Sequence, residues 1–281
     1  MPDMSLRFDV ARLRTLGILP QSDRPPFDII GDVHGCVEEL RELLEQLGYT
    51  LSQPGPGEGH YQHPDGRRVV FVGDLIDRGP GNMAVLEIAL AMRAASVCLQ
   101  VLGNHDARFL RWLSGRNVRT TFGLAQTIAE LNALPEHTRE AMRRRIWRLF
   151  EDTPGYLILD EGRLVVTHGG IRDRMVGAWD GETASFCLYG DVEGYTHSGK
   201  PIRRDWGAHR HLPVAEDGAT PEASAAPYIV YGHNVVQELR WVNRTIDLDT
   251  GCVYGGRLSA LRYPELELVT VDANRAYAHR G

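Results

Sequence analysis

Five short apolar segments of the sequence each end in a glycine turn that carries Asp, His or Asn. Each segment has about four to six apolar residues, many of them β-branched, and this pattern is typical of buried strands. The five stretches read "FDIIGDVHG", "VVFVGDLIDRG", "LQVLGNHD", "LVVTHGG" and "YIVYGH". Because ligands of open α/β sheets bind at the carboxyl ends of the strands, we expect these polar side chains to meet in one place.

The first half of the chain alternates between strand and helix patterns. The predicted order is strand 27–30, a helix over "VEELRELLEQLG", strand 69–72, a helix at about 82–95 and strand 97–102. A βαβαβ order predicts parallel pairing of the strands. The chain from residue 156 onward reads mostly as further strands, so we predict an α/β fold.

The 281 residues, of which 43% are hydrophobic, are enough for one large domain with a substantial core. We expect an N-terminal extension over 1–26, followed by a single domain over 27–281. Within that domain, helical patterns occupy about 106–150. The small, polar stretch "LPVAEDGATPEASAAP" contributes to an irregular loop insertion predicted at about 172–227.

The sequence predicts neither a membrane segment nor a disulfide framework. No apolar stretch reaches the roughly 18 residues of a membrane span. The N-terminal apolar residues are interrupted by Asp9, Arg12 and Arg14, unlike those of a signal peptide. The four cysteines are widely scattered and form no CxxC pair. We therefore expect a cytoplasmic protein with no membrane partner.

Charge is distributed unevenly along the chain. The net charge is −6, yet residues 108–148 contain nine arginines and only three glutamates. One interpretation is a basic segment that attracts a polyanion. The other is a solvated helix face, because Met142, Ile146, Leu149 and Phe150 repeat at helical spacing and leave the arginines outside. The sequence leaves both open.

The side chains at the predicted strand ends are typical ligands of a divalent transition metal. Carboxylates, an amide and imidazoles without any thiol suit Mn²⁺, Fe, Zn²⁺, Co²⁺ or Ni²⁺. There are too many of them for one ion with an open position, since a catalytic zinc takes about three protein ligands. Two ions bridged by a carboxylate would use them all. Such a pair binds a bridging hydroxide and promotes in-line displacement at phosphorus.

The motifs "GDVHG", "GDLIDRG", "GNHD", "HGG" and "YGH", in this order, resemble those of the calcineurin-like metallophosphoesterases, in the branch that includes the phosphoprotein phosphatases. Within that branch, "GRNVRTTFGLAQTIAELN" and "WVNRTIDLDTGCVYGGRLSALRYPE" are similar to the phosphatase domain of bacterial polynucleotide kinase-phosphatase. The second stretch also resembles bacterial diadenosine tetraphosphate hydrolases. The resemblance implies two packed mixed β-sheets flanked by helices, a four-layer α/β/β/α sandwich.

The resemblance also implies a role for each motif residue. The metal ligands would be Asp32 and His34 for the first ion, Asp74 as the bridge, and Asn104, His168 and His233 for the second. Manganese is the expected metal for both positions. The catalytic residues would be His105 as general acid, Asp77 as the group that orients it, and Arg78 on the phosphoryl oxygens.

Three further residues are candidates for binding substrate. Asp249, in "DLDTGC", occupies the place of an acidic residue important in the polynucleotide branch, although a turn-capping Asp in "DTG" explains it equally well. The family usually supplies a second phosphate-binding arginine from the segment between the "HGG" and "GH" motifs. Here "PIRRDW" offers Arg203 or Arg204, and the sequence does not distinguish them.

These observations favour a phosphoesterase that hydrolyses phosphomonoesters or phosphoanhydrides of nucleotide-containing substrates, either a diadenosine polyphosphate or a phosphorylated polynucleotide end. No obligate protein partner is evident. A serine/threonine-type protein phosphatase is the alternative, although "GNHD" departs from the "GNHE" usual in the eukaryotic enzymes. A non-catalytic metal-binding scaffold is disfavoured because every motif position is filled.

Overall fold

The computed structural model describes residues 23–52, 59–121, 123–212 and 226–279. Most of the predicted N-terminal extension and most of the "LPVAEDGATPEASAAP" stretch lie outside these ranges. No helix in the described residues is both long and apolar enough to cross a bilayer.

A mixed five-stranded sheet contains the strands of the first half of the chain. Its strands are β1 (Phe27–Ile30), β4 (Arg68–Phe71), β5 (Cys98–Gln100), β12 (Arg257–Tyr263) and β13 (Glu267–Asp272). They are ordered β13–β12–β1–β4–β5, and β1, β4 and β5 are mutually parallel neighbours. The predicted parallel pairing is therefore confirmed. It places the carboxyl ends of these three strands at one edge of the sheet.

A second, four-stranded sheet has the order β11–β10–β7–β6. Its strands are β6 (Tyr156–Leu159), β7 (Leu164–Thr167), β10 (Tyr228–Tyr231) and β11 (Thr245–Asp247). The strand β10 is parallel to both β7 and β11. Two short antiparallel hairpins complete the strands, β2 (Thr50–Leu51) with β3 (Tyr61–Gln62) and β8 (Asp191–Tyr195) with β9 (Pro201–Arg204).

Six α-helices in the described part of the chain surround the sheets. They are α1 (Val37–Gln46), α2 (Asn82–Ala94), α3 (Asn104–Leu113), α4 (Leu124–Ala133), α5 (Glu136–Glu151) and α6 (Gly181–Tyr189). Alternate residues of the strands face different layers, as the period of two requires. Ile29 and Val230 lie in the core between the two sheets, whereas Ile30 packs under the helices α1–α5 and Ile229 packs on the side of α6. The predicted four-layer α/β/β/α sandwich is confirmed.

Two segments differ in detail from their prediction. Part of the predicted irregular segment 172–227 is regular, because α6 and the β8–β9 hairpin lie within it. The helical segment 106–150 is divided among α3, α4 and α5. In α5, Met142, Ile146, Leu149 and Phe150 are buried while Arg144 and Arg148 are exposed, so the helix-face interpretation holds there.

Candidate active site

Strand ends from both sheets bring the five motifs together. Asp32 and His34 follow β1, Asp74 follows β4, Asn104 follows β5, His168 follows β7 and His233 follows β10. All six side chains belong to residues that are buried, except His233, which is half-buried. The loops that carry them pack between helices and sheets, so the ligands are withdrawn from bulk water.

Five of the predicted site residues have a left-handed backbone conformation. Their φ angles are 45° for His34, 48° for Asp74, 75° for Asp77, 74° for Arg78 and 76° for His233. Residues other than glycine rarely adopt positive φ, and such conformations persist only where the surrounding structure imposes them. The tight turns after β1, β4 and β10 thus aim these side chains at a common point at the expense of local backbone strain.

The glycines of two motifs allow close approach of neighbouring strand ends. A Cβ on Gly232 would lie 2.1 Å from Asp32 Oδ1, and a Cβ on Gly103 would lie 2.1 Å from the Asp74 nitrogen. Neither position tolerates a side chain without displacement of a predicted ligand. The glycines of "YGH" and "LGNHD" are therefore needed for the close approach of backbone to backbone or carboxylate.

Asp74 lies at the centre of the site. Its Oδ1 accepts a hydrogen bond from the His105 backbone nitrogen at 2.9 Å. Its Oδ2 is 3.6 Å from His34 Nε2 and 3.5 Å from His168 Nε2. Burial alone would raise the pKa of Asp74, but the imidazoles around it, with His168 first, lower that pKa below its ordinary value. A carboxylate that stays charged between the imidazoles of the two predicted metal positions is suited to bridge two metal ions.

The predicted second metal position is formed by groups that all present lone pairs. His168 Nδ1 donates to the Val72 carbonyl oxygen at 3.0 Å, so its Nε2 has no proton to offer. That Nε2 nevertheless lies 3.0 Å from Asn104 Oδ1 and 3.1 Å from His233 Nδ1. Burial lowers the pKa of both His168 and His233, which keeps the imidazoles neutral, as metal binding requires. A cation would satisfy this donor set.

The predicted first metal position combines His34 with two carboxylates. His34 Nδ1 donates to the Ile76 carbonyl oxygen at 2.8 Å, which leaves Nε2 as the metal-binding nitrogen. Both oxygens of Asp32 accept from the His233 backbone nitrogen at 3.2 Å. Burial, followed by the charges of Asp249 and Asp74, raises the pKa of Asp32 well above its ordinary value. A divalent ion would offset this crowding of negative charge, so the residues fit the metal.

His105 has the hydrogen bonding expected of a positioned acid. Its Nδ1 donates to Asp77 Oδ2 at 2.6 Å, and its ring packs edge-on against His34 with centroids 4.9 Å apart. Asp77 is itself held, because Oδ1 accepts from Thr127 Oγ1 at 2.6 Å. Asp77 thus fixes the orientation of the His105 ring, which presents Nε2 as its remaining nitrogen.

Sequence reasoning missed several residues that hold the site in place. Asp106 ties two motif turns together, because Oδ1 accepts from the Leu75 nitrogen and Oδ2 from the Gly103 nitrogen. Its position three residues after Gly103, at the start of α3, is a capping signal that could have identified it. Thr127 and Glu130 on α4 carry no such signal. Glu130 binds the Asn82 side chain, which in turn accepts from the Asp77 backbone nitrogen.

The structure distinguishes the two candidate arginines. Arg204 forms an ion pair with Glu193, on the neighbouring strand of the hairpin. Arg203 lies close enough to His233 for its charge to contribute to the lowered pKa of that imidazole. Arg78 reaches the site, with Nη1 2.5 Å from His34 Nε2.

The Asp249 carboxylate caps its own turn and lies near Asp32, and its role as a substrate contact stays a prediction. Its Oδ1 accepts from the Gly251 backbone nitrogen at 3.0 Å, which caps the turn. The same carboxylate is near enough to Asp32 to raise the pKa of that residue. Asp249 therefore stabilises its own turn and adds negative charge at the edge of the site.

Two of the scattered cysteines meet in the fold. Cys36 and Cys252 lie with Glu39 in a buried group whose ligand atoms are within 4.8 Å of one another. The contact between the two thiols, together with burial, raises the pKa of Cys252. All four cysteines are free and buried.

A comparison with known families identifies the chain. The family described as calcineurin-like phosphoesterase matches residues 25–237, a range that contains every predicted metal ligand. The chain belongs to the calcineurin-like phosphoesterase family. It is accordingly an enzyme, a metal-dependent phosphoesterase with a binuclear divalent metal centre, and the prediction of a catalytic function is confirmed. The scaffold alternative is thereby disfavoured further.

Bacterial relatives match nearly the whole chain. Bis(5'-nucleosyl)-tetraphosphatase PrpE (asymmetrical) of Geobacillus thermodenitrificans is 45% identical over 248 residues, which is 88% of this chain and 94% of the relative. The protein of the same name from Anoxybacillus flavithermus is 41% identical over 252 residues, 89% of this chain and 96% of the relative.

Solved structures share the fold of this calcineurin-like phosphoesterase at lower identity. The structure of a candidate diadenosine tetraphosphatase has a TM-score of 0.60 at 20% identity and covers 91% of this chain and 96% of its own. A serine/threonine phosphatase of Saccharomyces cerevisiae has a TM-score of 0.54 at 14% identity, with 92% of this chain and 82% of its own covered. At these identities the similarity concerns the fold alone.

Proposed function

We propose that this phosphoesterase hydrolyses dinucleoside tetraphosphates asymmetrically, to a nucleoside monophosphate and a nucleoside triphosphate. The observation that carries the proposal is the match to relatives named asymmetrical bis(5'-nucleosyl)-tetraphosphatases, which extends over 88% of this chain at 45% identity. The family match over residues 25–237 contains every predicted metal ligand.

Two divalent ions, for which manganese is our choice, would be held by the six predicted ligands. These are Asp32, His34, Asp74, Asn104, His168 and His233. When bound, the ions activate water and neutralise charge at the attacked phosphoryl group. The mixture of carboxylate, amide and imidazole donors supports a metal of borderline hardness such as Mn²⁺.

The remaining site residues act on the substrate directly. His105 donates a proton from Nε2 to the oxygen that leaves phosphorus, and Asp77 stabilises the imidazolium before transfer through the bond to Nδ1. Arg78 and Arg203 bind the non-bridging phosphoryl oxygens, since a guanidinium matches their geometry with two parallel hydrogen bonds. Asp249 remains a candidate substrate contact at the edge of the site.

A substrate comparison tests this proposal. Mn²⁺-loaded protein is assayed against diadenosine tetraphosphate, a phosphorylated oligonucleotide, a 2′,3′-cyclic nucleotide and a phosphopeptide. We expect the highest kcat/KM with diadenosine tetraphosphate and equal amounts of AMP and ATP as products. Formation of ADP alone would contradict asymmetric cleavage. A clear preference for the phosphopeptide would instead support the protein phosphatase alternative, and a preference for the oligonucleotide would support a polynucleotide-end phosphatase.

We also propose that the enzyme acts in the cytoplasm. All four cysteines are free, and thiols persist most readily in a reducing compartment. Fractionation of the native cells, with detection of the protein by antibody, tests this assignment.

A further inference from the structure

A groove lies beside His233, between β9, β10 and the turn that leads to β11. We name it the β10 groove. Its lining includes Arg203, Trp206, Tyr231, Asn234, Val236 and Asp247. It encloses about 640 Å³, and ligand pockets of roughly 300–1,000 Å³ are the usual size for a small organic molecule. Of the predicted site residues, only Arg203 and Arg204 line this groove.

The groove adjoins one end of the predicted metal centre. Tyr231 and Asn234, which line the groove, lie on either side of His233 in the chain. The rings of His233 and His168 are 4.9 Å apart and form this end of the site. A ligand in the groove would therefore lie next to a phosphoryl group bound at the centre.

The proton donor lies at the opposite end of the centre. His105 packs against His34, and α3 continues from it to Arg108 and Arg111. These two arginines and Arg119 line a separate cavity of about 250 Å³. Because the leaving oxygen must face the acid, the leaving polyphosphate extends toward His105 and this basic cavity.

The nucleoside on the attacked phosphorus therefore extends in a different direction from the leaving polyphosphate. The attacking and leaving oxygens lie roughly in line at phosphorus. The ribose oxygen on the attacked phosphorus is neither of these, so its nucleoside projects sideways from the reaction axis. The β10 groove adjoins His233 and is not lined by His105 or His34, so it can receive such a group.

The chemistry of the groove matches a nucleoside. Trp206 and Tyr231 line the groove with the small exposed part of their surfaces, 4% and 8%, and Val236 adds aliphatic surface, against which a heterocycle packs. The Asp247 carboxylate and Tyr231 both line the groove, and Asp247 Oδ1 accepts a hydrogen bond from the Asp249 nitrogen at 2.9 Å. Carboxylate and hydroxyl oxygens are suitable acceptors for ribose hydroxyls or an exocyclic amine.

We propose that the β10 groove is the binding site for the nucleoside attached to the attacked phosphorus, the one released as the nucleoside monophosphate. This inference rests on the proposed function. It assigns the two halves of the substrate to different ends of the centre, with the monophosphate half at His233 and the triphosphate half at His105. The unequal products then follow from the unequal surroundings of the two halves.

Two variants test the groove by steady-state kinetics. Tyr231→Phe removes one hydroxyl, and we expect the KM for diadenosine tetraphosphate to rise about three- to tenfold, as for loss of one hydrogen bond. Val236→Trp fills the groove and should raise that KM further. Hydrolysis of p-nitrophenyl phosphate, which has no nucleoside, should stay within about twofold of wild type. Tyr156→Phe, on β6, and Val269→Trp, on β13, are the matched controls and should leave both substrates unaffected.

Inhibition by products supplies an independent measurement. With p-nitrophenyl phosphate as substrate, AMP should inhibit wild type more strongly than inorganic phosphate, and both groove variants should lose that difference. If wild type cleaves diadenosine tetraphosphate but the groove variants keep its KM and the inhibition by AMP, the groove assignment is overturned and the proposed function stands. If wild type cleaves only p-nitrophenyl phosphate, yet AMP inhibition is lost in the variants, the groove assignment stands and the proposed substrate is wrong.

Discussion

Asn104 and His105 are neighbours in the chain, but their side chains have different partners. Asn104 Oδ1 is 3.0 Å from His168 Nε2, at the predicted second metal position. His105 Nδ1 donates to Asp77 Oδ2 at 2.6 Å. Both residues begin α3, so consecutive positions on one helix turn toward different parts of the site. This difference in partners supports our proposal that Asn104 serves metal binding and His105 serves proton transfer.

This difference gives the first prediction. Asn104→Ala should reduce the metal content per chain, measured by elemental analysis after gel filtration. His105→Ala should keep the metal content of wild type and slow hydrolysis by about 10²–10⁴-fold. The slowing should be smaller for p-nitrophenyl phosphate, whose leaving group needs little protonation. Loss of metal in His105→Ala, or equal slowing for good and poor leaving groups, contradicts the assignment.

Thr127 is a positioning residue for the same proton transfer, and it acts through Asp77. The Thr127 hydroxyl donates to Asp77 Oδ1 at 2.6 Å inside a fully buried environment. We predict that Thr127→Val, which has the same shape, lowers kcat for a poor leaving group more than for p-nitrophenyl phosphate. Thr127→Ser, which retains the hydroxyl, should recover most of the activity. A loss of thermal stability without any dependence on the leaving group would show a merely structural role.

The two groups of site residues differ in how far sequence reveals them. Asp32 and Asp74 follow neighbouring parallel strands, so their convergence could be predicted from the rule that ligands bind at the carboxyl ends of such strands, whereas His233 follows a strand of the second sheet. Thr127 comes from a helix with no motif, and only tertiary packing places it beside Asp77. A single hydroxyl on an amphipathic helix has no local pattern that distinguishes it from a solvated threonine.

At the scale of elements, the turn after β10 joins the second sheet to the first metal position. The His233 nitrogen donates to Asp32, and a Cβ on Gly232 would lie 2.1 Å from Asp32 Oδ1 and 3.0 Å from Val72 Cγ2. Gly232 is thus needed because the turn lies so close to Asp32, and His233 is needed for its imidazole. Strand β10 supports this turn, but the strand itself does not depend on either residue.

We predict that Gly232→Ala lowers both metal content and activity. The added methyl group must displace Asp32 or the turn that carries His233, which moves ligands of both predicted metal positions. Metal content per chain and activity on p-nitrophenyl phosphate are measured side by side. Gly181→Ala is the matched control, because a Cβ there meets nothing within 4 Å. Normal metal content and activity in Gly232→Ala would show that the turn can relax.

Elements were easier to predict than their boundaries and connections. Short apolar runs bounded by glycine identified β1, β4, β7 and β10, because a buried strand needs little more than that pattern. Helix α6 and the β8–β9 hairpin were missed within 172–227. Their segment is rich in Gly, Ser and charged residues, and strand β9 has mostly exposed side chains. The sequence therefore has no apolar periodicity there that would predict these elements.

On the scale of the whole molecule, the metal centre joins the two sheets. Asp32, His34 and Asp74 come from the first sheet, whereas His168 and His233 come from the second. This division could be anticipated from the family resemblance but not from local patterns, because the sequence does not state which strands share a sheet. It makes the bound metals relevant to stability as well as to catalysis.

The ligand set predicts which metals restore activity. Protein exhaustively dialysed against EDTA should be inactive on p-nitrophenyl phosphate, and added Mn²⁺ should restore hydrolysis. Magnesium should restore it poorly, since Mg²⁺ prefers an octahedron of oxygens and His34, His168 and His233 supply nitrogen. The assay is run with each metal added in turn to the same chelated sample. Full activity in excess EDTA would falsify the metal-dependent mechanism.

Metal binding should also raise the melting temperature. Without cations, the raised pKa of Asp32 and the facing lone pairs of His168 and His233 mark unfavourable contacts within the site. A ligand that binds only the folded state at about 100 times its Kd stabilises it by roughly 2.7 kcal/mol. At about 2–4 °C per kcal/mol for a chain of this size class, we expect Mn²⁺ to raise the Tm by several degrees over EDTA in scanning calorimetry.

Asn104→Ala, which lacks one ligand at the second position, should show a smaller rise in Tm, and His105→Ala should show the full rise. An identical Tm in EDTA and in saturating Mn²⁺ for wild type would mean that the sheets are held together without the metal centre.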